Sequence, residues 1–225
     1  INKEFLQEVI SMPAYTAAKD SVCEFYEKKS RFIGRVFFVS SEEEAEARIG
    51  EIKNLYPDAT HNCWAYNLRK FSARRVFDDG EPQGTAGLPI LSVIDANNLS
   101  DVCIVVTRYF GGILLGAGGL VRAYSRAAAE AVKAAGVSEI VPFAVFSLTF
   151  GYSRLNRVKT VLSKFPADIL KEEYGEMVYM EISLPKDDFE NLKNILRKFY
   201  YDMTFPVLSE FEGRRRVDRS VKDEE

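Results

Sequence analysis

The residues best suited to chemistry lie where an apolar run gives way to glycines. Arg108, Tyr109 and Phe110 lead into Gly111 and Gly112, and Gly116, Gly118 and Gly119 follow before a long alanine-rich stretch. Glycine admits positive φ and lets a ligand approach the backbone amides closely. A helix starting just beyond adds unpaired N–H groups and the positive end of its dipole. Arg122 and Arg126 stand one turn apart on that helix and share a face. Amides flanked by Arg108, Arg122 and Arg126 would receive a phosphate or carboxylate, and Tyr109 and Phe110 would offer faces to stacked bases. A second reading stays open: the glycines serve tight strand-to-helix packing, and Arg108 or Arg122 neutralises Asp78, Asp79 or Glu81. Two nucleotide motifs fail here. A P-loop needs Gly-Lys-Ser/Thr, and Gly116-Ala117-Gly118-Gly119 lacks the third glycine of a dinucleotide fingerprint.

Three acids fall in the Gly/Pro loop from Asp78 to Gly87. Asp79 and Glu81 are weak candidates for a divalent cation held by hard oxygens; a solvated turn, or pairing with nearby arginines, competes. His61 and Cys63, two residues apart on a strand, share a face. With one histidine in the chain and no G-x-S-x-G elbow, no catalytic residue is assigned. His61 is expected as a hydrogen-bonded structural histidine or at the rim of a ligand site. Arg69, Lys70, Arg74 and Arg75 form an exposed basic turn able to meet phosphates. Arg214-Arg215-Arg216 forms a second cluster, flanked by Glu210, Glu212 and Asp218.

The elements that must hold these residues follow from periodicity. Ser21 to Glu27 and Arg31 to Val39 read as strands joined at Lys28-Lys29-Ser30. Ser41 with Glu44 matches a capping box for a helix reaching about Tyr56. Thr60 to Leu68 is a third strand, and Pro89 opens a short helix. Val102 to Thr107 is apolar enough to be an interior strand covered on both faces. The alanine-rich helix should run from about Leu120 to Ala135 and end at Gly136. After Pro142 the pattern restarts as β-α-β-β-α-β, with strands at 143–150, 168–174, 177–184 and 205–211 and helices at 154–164 and 186–200. That order is the ferredoxin-like arrangement.

The chain has 225 residues, 47% hydrophobic and 28% charged, as expected of one or two globular domains. Its net charge of −3 gives no global field for nucleic acid or membrane, so an anion site must be a local patch. No run approaches a membrane-spanning helix, and the first residues carry no signal-peptide core. Three separated cysteines without C-x-x-C argue against disulfides and structural zinc. No cofactor is expected.

Several long motifs carry a resemblance. Lys29-Ser30-Arg31-Phe32-Ile33, Ala59 to Tyr66, Asp79 to Gly87, Val106 to Gly112 and Leu115 to Ser125 closely resemble the YigZ/IMPACT family. The match covers roughly Tyr15 to Val137, and Pro142 to about Val207 resembles the smaller C-terminal domain of bacterial members. The resemblance implies an α+β protein with a ribosomal protein S5 domain 2-like domain at 15–138 and a ferredoxin-like domain at 142–211; outside it lie an extension at 1–14 and a tail at 212–225 whose charge reads as disorder. That pair looks like the fourth and fifth domains of elongation factor G, which act on the ribosome. Eukaryotic members are implicated in translational control through the pathway that senses amino-acid starvation. The family supplies no established catalytic residues, and its motif positions His61, Asp79, Glu81, Arg108, Gly111, Gly112, Gly118, Gly119, Arg122 and Tyr124 are binding candidates only.

The expectation is a cytoplasmic, non-catalytic regulator of translation that binds RNA or the ribosome, and a translation-control protein, through the Gly/Arg surface, with help from Arg69, Arg74 and Arg75. Two other classes remain. One is an enzyme acting on a phosphorylated or carboxylated small molecule with a metal at Asp79 and Glu81. The other is a protein-interaction module. The oligomeric state is open.

Overall fold

The computed structural model describes residues 14–70, 72–217 and 221. The expected N-terminal extension therefore lies almost wholly outside the described residues. The chain divides into two compact α+β units, Ile1–Glu139 with Arg216–Glu225, and Ile140–Arg215.

The first unit holds β1 (Ala14–Ala17), β2 (Ser21–Glu27), β3 (Ser30–Phe38), α1 (Glu42–Leu55), β4 (His61–Leu68), β5 (Ala73–Phe77), α2 (Gly87–Ala96), β6 (Val102–Tyr109) and α3 (Ala117–Ala135). Five strands form one antiparallel sheet in the order β2-β3-β6-β4-β5. The apolar run becomes the central strand β6, buried from Val102 to Arg108. Its side chains alternate between faces, as a strand's must. Ile104 and Val106 join the core made with Ile90 and Val93 of α2 and Ala127 and Val132 of α3. Cys103 and Val105 join the core made with Ala45, Ile49 and Ile52 of α1.

Ser41 caps α1 by accepting the Glu44 N–H, and the Glu44 carboxylate reaches back to the amide of Ser40, one residue earlier than a standard capping box. Gly50 sits in the middle of this helix. A mid-helix glycine costs about 0.5–1 kcal/mol relative to alanine, and nothing lies within 4 Å of where its Cβ would be. No packing contact demands it.

Three segments differ from expectation. Ala73 to Arg75, expected as part of a basic turn over Arg69 to Arg75, belong to the edge strand β5. An edge strand tolerates charge because solvent covers one side, so Arg74 and Arg75 hide its strand character. The helix α3 starts at Ala117, which makes Gly118 and Gly119 helical rather than loop. In the second unit the last strand runs on through the start of the expected tail.

That unit contains most of β7 (Val137–Phe150), then α4 (Leu155–Leu162), β8 (Asp168–Tyr174), β9 (Val178–Pro185), α5 (Lys186–Phe199) and most of β10 (Val207–Val217). Its strands are ordered β10-β7-β9-β8, and Phe146, Leu148, Val158, Leu162, Leu192 and Leu196 fill its core. Arg214, Arg215 and Arg216 are strand residues of β10, not disordered tail, because main-chain pairing with β7 needs no apolar side chain. Residues 218–220 and 222–225 lie outside the described residues. Among the described residues, no helix is long and apolar enough to cross a membrane.

Burial lifts the Cys63 thiol above the ordinary cysteine range and pushes Cys103 up to about 12. Above pH 9.0, the ordinary thiol value, the unfolded chain sheds protons that the fold keeps. The unfolded state then binds fewer protons, so stability falls as pH rises, by about 1.4 kcal/mol per pH unit for each retained proton. Thermal unfolding should show Tm declining from pH 9 towards 12, and Cys103→Ala should make that decline shallower. An unchanged slope would mean that Cys103 ionises normally in the fold.

Candidate functional site

The loop between β5 and α2 is built by its acids. The Asp78 carboxylate accepts the backbone N–H groups of Gly84 (2.8 Å), Ala86 (3.1 Å) and Gly87 (2.8 Å). It thereby closes the loop and caps the first turn of α2, whose N-cap residue Ala86 has no side chain for the task. Asp79 accepts the Asn62 N–H at 2.7 Å and lies 3.9 Å from the Lys53 ammonium.

Glu81 turns inward. With its side chain 3% exposed, it pairs with Arg108 at 2.5 Å and accepts the Tyr124 hydroxyl at 2.7 Å. His61 lies opposite Arg108 in the β4–β6 register. Its Nδ1 is 2.7 Å from the Asp79 carbonyl oxygen and its Nε2 is 3.7 Å from Glu81. A carbonyl only accepts, so Nδ1 carries the proton. Arg108 also donates to Ser30 Oγ at 3.3 Å, and its guanidinium lies 5.5 Å from the Phe32 ring and 5.4 Å from Phe110.

This arrangement corrects two readings. Arg108 is buried and its charge is taken by Glu81, so it faces no solvent ligand. Asp79 and Glu81 direct their carboxylates at an amide and a guanidinium rather than at a shared point. Among the described residues, no group of three His, Cys, Asp or Glu is placed to hold a metal ion. Cys63 lies 2.9 Å from the Asp78 carbonyl oxygen and 3.4 Å from the Tyr124 hydroxyl. Burial dominates its raised pKa; the Tyr124 hydroxyl opposes the rise, and Glu81, Asp79 and Asp78 add to it. Burial likewise drives the Tyr124 hydroxyl far above the ordinary phenol range, with Cys63 and Glu81 adding to it. Burial thus favours the protonated form of both groups.

The open surface lies just outside this cluster. Ser30 links the two, accepting from Arg108 and from the Gly111 N–H, each at 3.3 Å. Strands β2 and β3 join through a two-residue turn, Lys28-Lys29, with φ of 44° and 68°. Such turns favour Asn-Gly, and the left-handed conformation costs a residue with a Cβ on the order of 1–2 kcal/mol. Gly111 packs against that turn. A Cβ there would stand 2.0 Å from the Lys29 carbonyl oxygen.

Gly116, at φ 72°, is the N-cap of α3 and supplies no side-chain acceptor. The amides of Ala117, Gly118 and Gly119 in the first turn have no intrahelical acceptor. A cavity of about 220 Å³ lies beside them, lined by Phe25, Lys28, Leu115, Gly119, Arg122 and Arg126 among others. Arg122 is exposed and makes no ion pair or hydrogen bond among the described residues. Arg126 pairs with Glu130 at 2.7 Å and lies 4.1 Å from the Phe25 ring centre. Gly112 and Gly118 are exposed. Phe110 is exposed too, while the Tyr109 hydroxyl donates to Asp58.

The basic turn does not join this surface. Arg69 faces Asp101, Arg74 faces Asp95 and Arg75 faces Glu42, and β5 and β2 are opposite edges of the sheet. Lys28 and Lys29 are the cations the sequence reading did not assign to the site. The signal was present: two lysines at a spacing that fits a tight hairpin turn.

Comparisons with known proteins add a family. Residues 28–132 match the Impact N-terminal domain, and residues 148–199 match a domain of unknown function, DUF1949. A relative in Bacillus subtilis, IMPACT family member YvyE, is 41% identical over 155 residues, 68% of this chain and 71% of that protein. IMPACT family member YigZ of Escherichia coli is 34% identical over 161 residues, 70% of this chain and 79% of that one. A crystal structure described as that of a hypothetical protein is 28% identical, with a TM-score of 0.55, and the match covers 88% of this chain and 98% of that one.

Removing one member of a buried ion pair leaves the other charge uncompensated, at a cost of about 3–5 kcal/mol. Urea unfolding of Glu81→Ala should show a loss of that size. The double variant Glu81→Leu/Arg108→Met, which removes both charges, should recover at least half of it. Wild-type stability in the single variant would show that Arg108 does not depend on Glu81.

Proposed function

The chain belongs to the IMPACT family, and from that premise we propose that it regulates translation in the cytoplasm by binding RNA or the ribosome through the β2–β3 turn, the glycine loop and the first turn of α3. One observation carries this reading. Among the described residues Lys28, Lys29 and Arg122 are exposed without carboxylate partners in a chain of net charge −3, and Lys28 and Arg122, with Glu27, line the cavity beside the uncapped amides of α3. Cations and helix-terminal amides together suit phosphate. Phe110, 43% exposed, adds a face for a base. The positive φ of both lysines supports the same reading, because a hairpin built for stability alone would place Asn-Gly there.

The finer fold assignments belong to this proposal. The first unit is read as an S5 domain 2-like domain over 15–138 and the second as a ferredoxin-like domain over 142–211. The β-α-β-β-α-β order and the strand arrangement β10-β7-β9-β8 support the latter. A second reading, a docking surface for a translation-control protein, draws on Leu114, 82% exposed, with Ile113 beside it in the glycine loop.

Binding of an unstructured RNA oligomer, and of ribosomes by co-sedimentation, should weaken with rising salt. Lys28→Ala and Arg122→Ala should each lower the slope of log affinity against log salt for the oligomer by about 0.7, one phosphate contact on a single strand. Folded variants that bind like wild type would overturn the RNA reading. Nuclease-resistant capture of a protein lost in Leu114→Asp would move the surface to the second reading.

A further inference from the structure

On the sheet face away from α2 and α3, a cleft of about 430 Å³ opens between α1 and strands β4 and β5. Its floor is a row of aromatic rings. Trp64 stacks on Tyr66 with ring planes 4° apart and centroids 5.5 Å apart, and on Phe77 at 5.6 Å. The register makes the row: Trp64 lies opposite Phe77 and Tyr66 opposite Arg75, so alternate residues of both strands share this face. The other wall is one stripe of α1, with Glu46, Gly50 and Lys53 at helical spacing. Gly50 keeps that wall hollow, since open space lies where its side chain would be.

The cleft's charges narrow the choice of guest. Lys53 Nζ stands 5.2 Å from the Phe77 ring centre, and the Arg75 side chain is 63% exposed beside the row. These cations oppose a cationic guest at the same ring faces. A wholly apolar guest would desolvate both without compensation. A flat π-system bearing a negative group satisfies rings and cations together. The carboxylates near the two cations, Asp79 at 3.9 Å from Lys53 and Glu42 at 3.1 Å from Arg75, are each held by a second partner, the Asn62 amide and the Tyr66 hydroxyl, so a phosphate can take over the exposed cations while the acids keep a hydrogen bond. The volume falls in the range of small-molecule pockets, roughly 300–1,000 Å³.

We propose that this cleft binds a nucleotide, with the base against Trp64 and Phe77 and the phosphate held by Lys53 and Arg75. The source is either a free nucleotide or an unpaired nucleotide of an RNA strand. Glu46 offers an acceptor to an exocyclic amino group of the base. None of the residues of the α3 surface lines this cleft, so the inference stands apart from the reading above.

Trp64 is the only tryptophan of the chain, so its emission reports directly on the cleft. The full chain is titrated with AMP, GMP, CMP and UMP, with the matching nucleosides, and with a short unpaired RNA. Saturable quenching is expected, weakened roughly tenfold by Phe77→Ala, the scale of one stacking contact. Gly50→Leu, which fills the hollow while favouring helix, should weaken it at least as much. Lys53→Ala should weaken the nucleotide but leave the nucleoside unchanged. Quenching by mononucleotides assigns a free nucleotide; quenching by the oligomer alone assigns an RNA nucleotide. No saturable quenching by either, or quenching untouched by Gly50→Leu and Phe77→Ala, overturns the proposal. Arg122→Ala should leave the mononucleotide signal intact, which separates its failure from failure of the α3 surface.

Discussion

A carboxylate and a guanidinium share the interior of the first unit, and the candidate surface is organised around them. Two charges removed from water need hydrogen-bond partners to be tolerated, and only the Nε of Arg108 in this pair is a buried atom without one among the described residues. Glu81 therefore draws partners from several elements: Arg108 from β6, Tyr124 from α3, and His61 from β4 at longer range. Arg108 in turn engages Ser30 of β3. The Asp78–Gly87 loop, α3 and three neighbouring strands thus meet at a single pair of opposite charges.

That interior constraint sets the exterior. Ser30 bonds to both Arg108 and the Gly111 amide, so the same hydroxyl that serves the buried pair also positions the start of the glycine loop. The loop's close approach to the Lys28-Lys29 turn follows, and with it the grouping of cations near the first turn of α3. Charges that meet a carboxylate inside the fold are structural; those left facing water are the ones able to meet a ligand. Arg108 belongs to the first class and Arg122 to the second, although both are arginines in one glycine-rich motif.

The two faces of the sheet carry different chemistry because they are covered differently. Alanine-rich α3 and α2 bury one face fully around Ile104 and Val106. The single helix α1 covers the other, and over β4 and β5 it leaves aromatic rings lining an open cleft. Trp64 with Tyr66 was legible as a same-face pair from strand alternation. Phe77 was not, because β5 is an edge strand whose arginines read as a turn. The Glu46–Gly50–Lys53 stripe acquires meaning only once it is set opposite the rings.

Local patterns determined much by themselves. The apolar run at Val102 to Thr107 had to be an interior strand and the alanines had to form a closely packed helix, while the glycines between them fitted tight packing and exposed backbone alike. Contiguous motifs likewise carried the family, since they are properties of chain order. The fate of each charge was decided only by tertiary structure. Glu81 and Arg108 stand 27 residues apart, and neither residue type says whether it will meet a partner or water. Whether a charge is neutralised depends on which strands become neighbours, and that pairing is a long-range outcome of packing that no local spacing encodes.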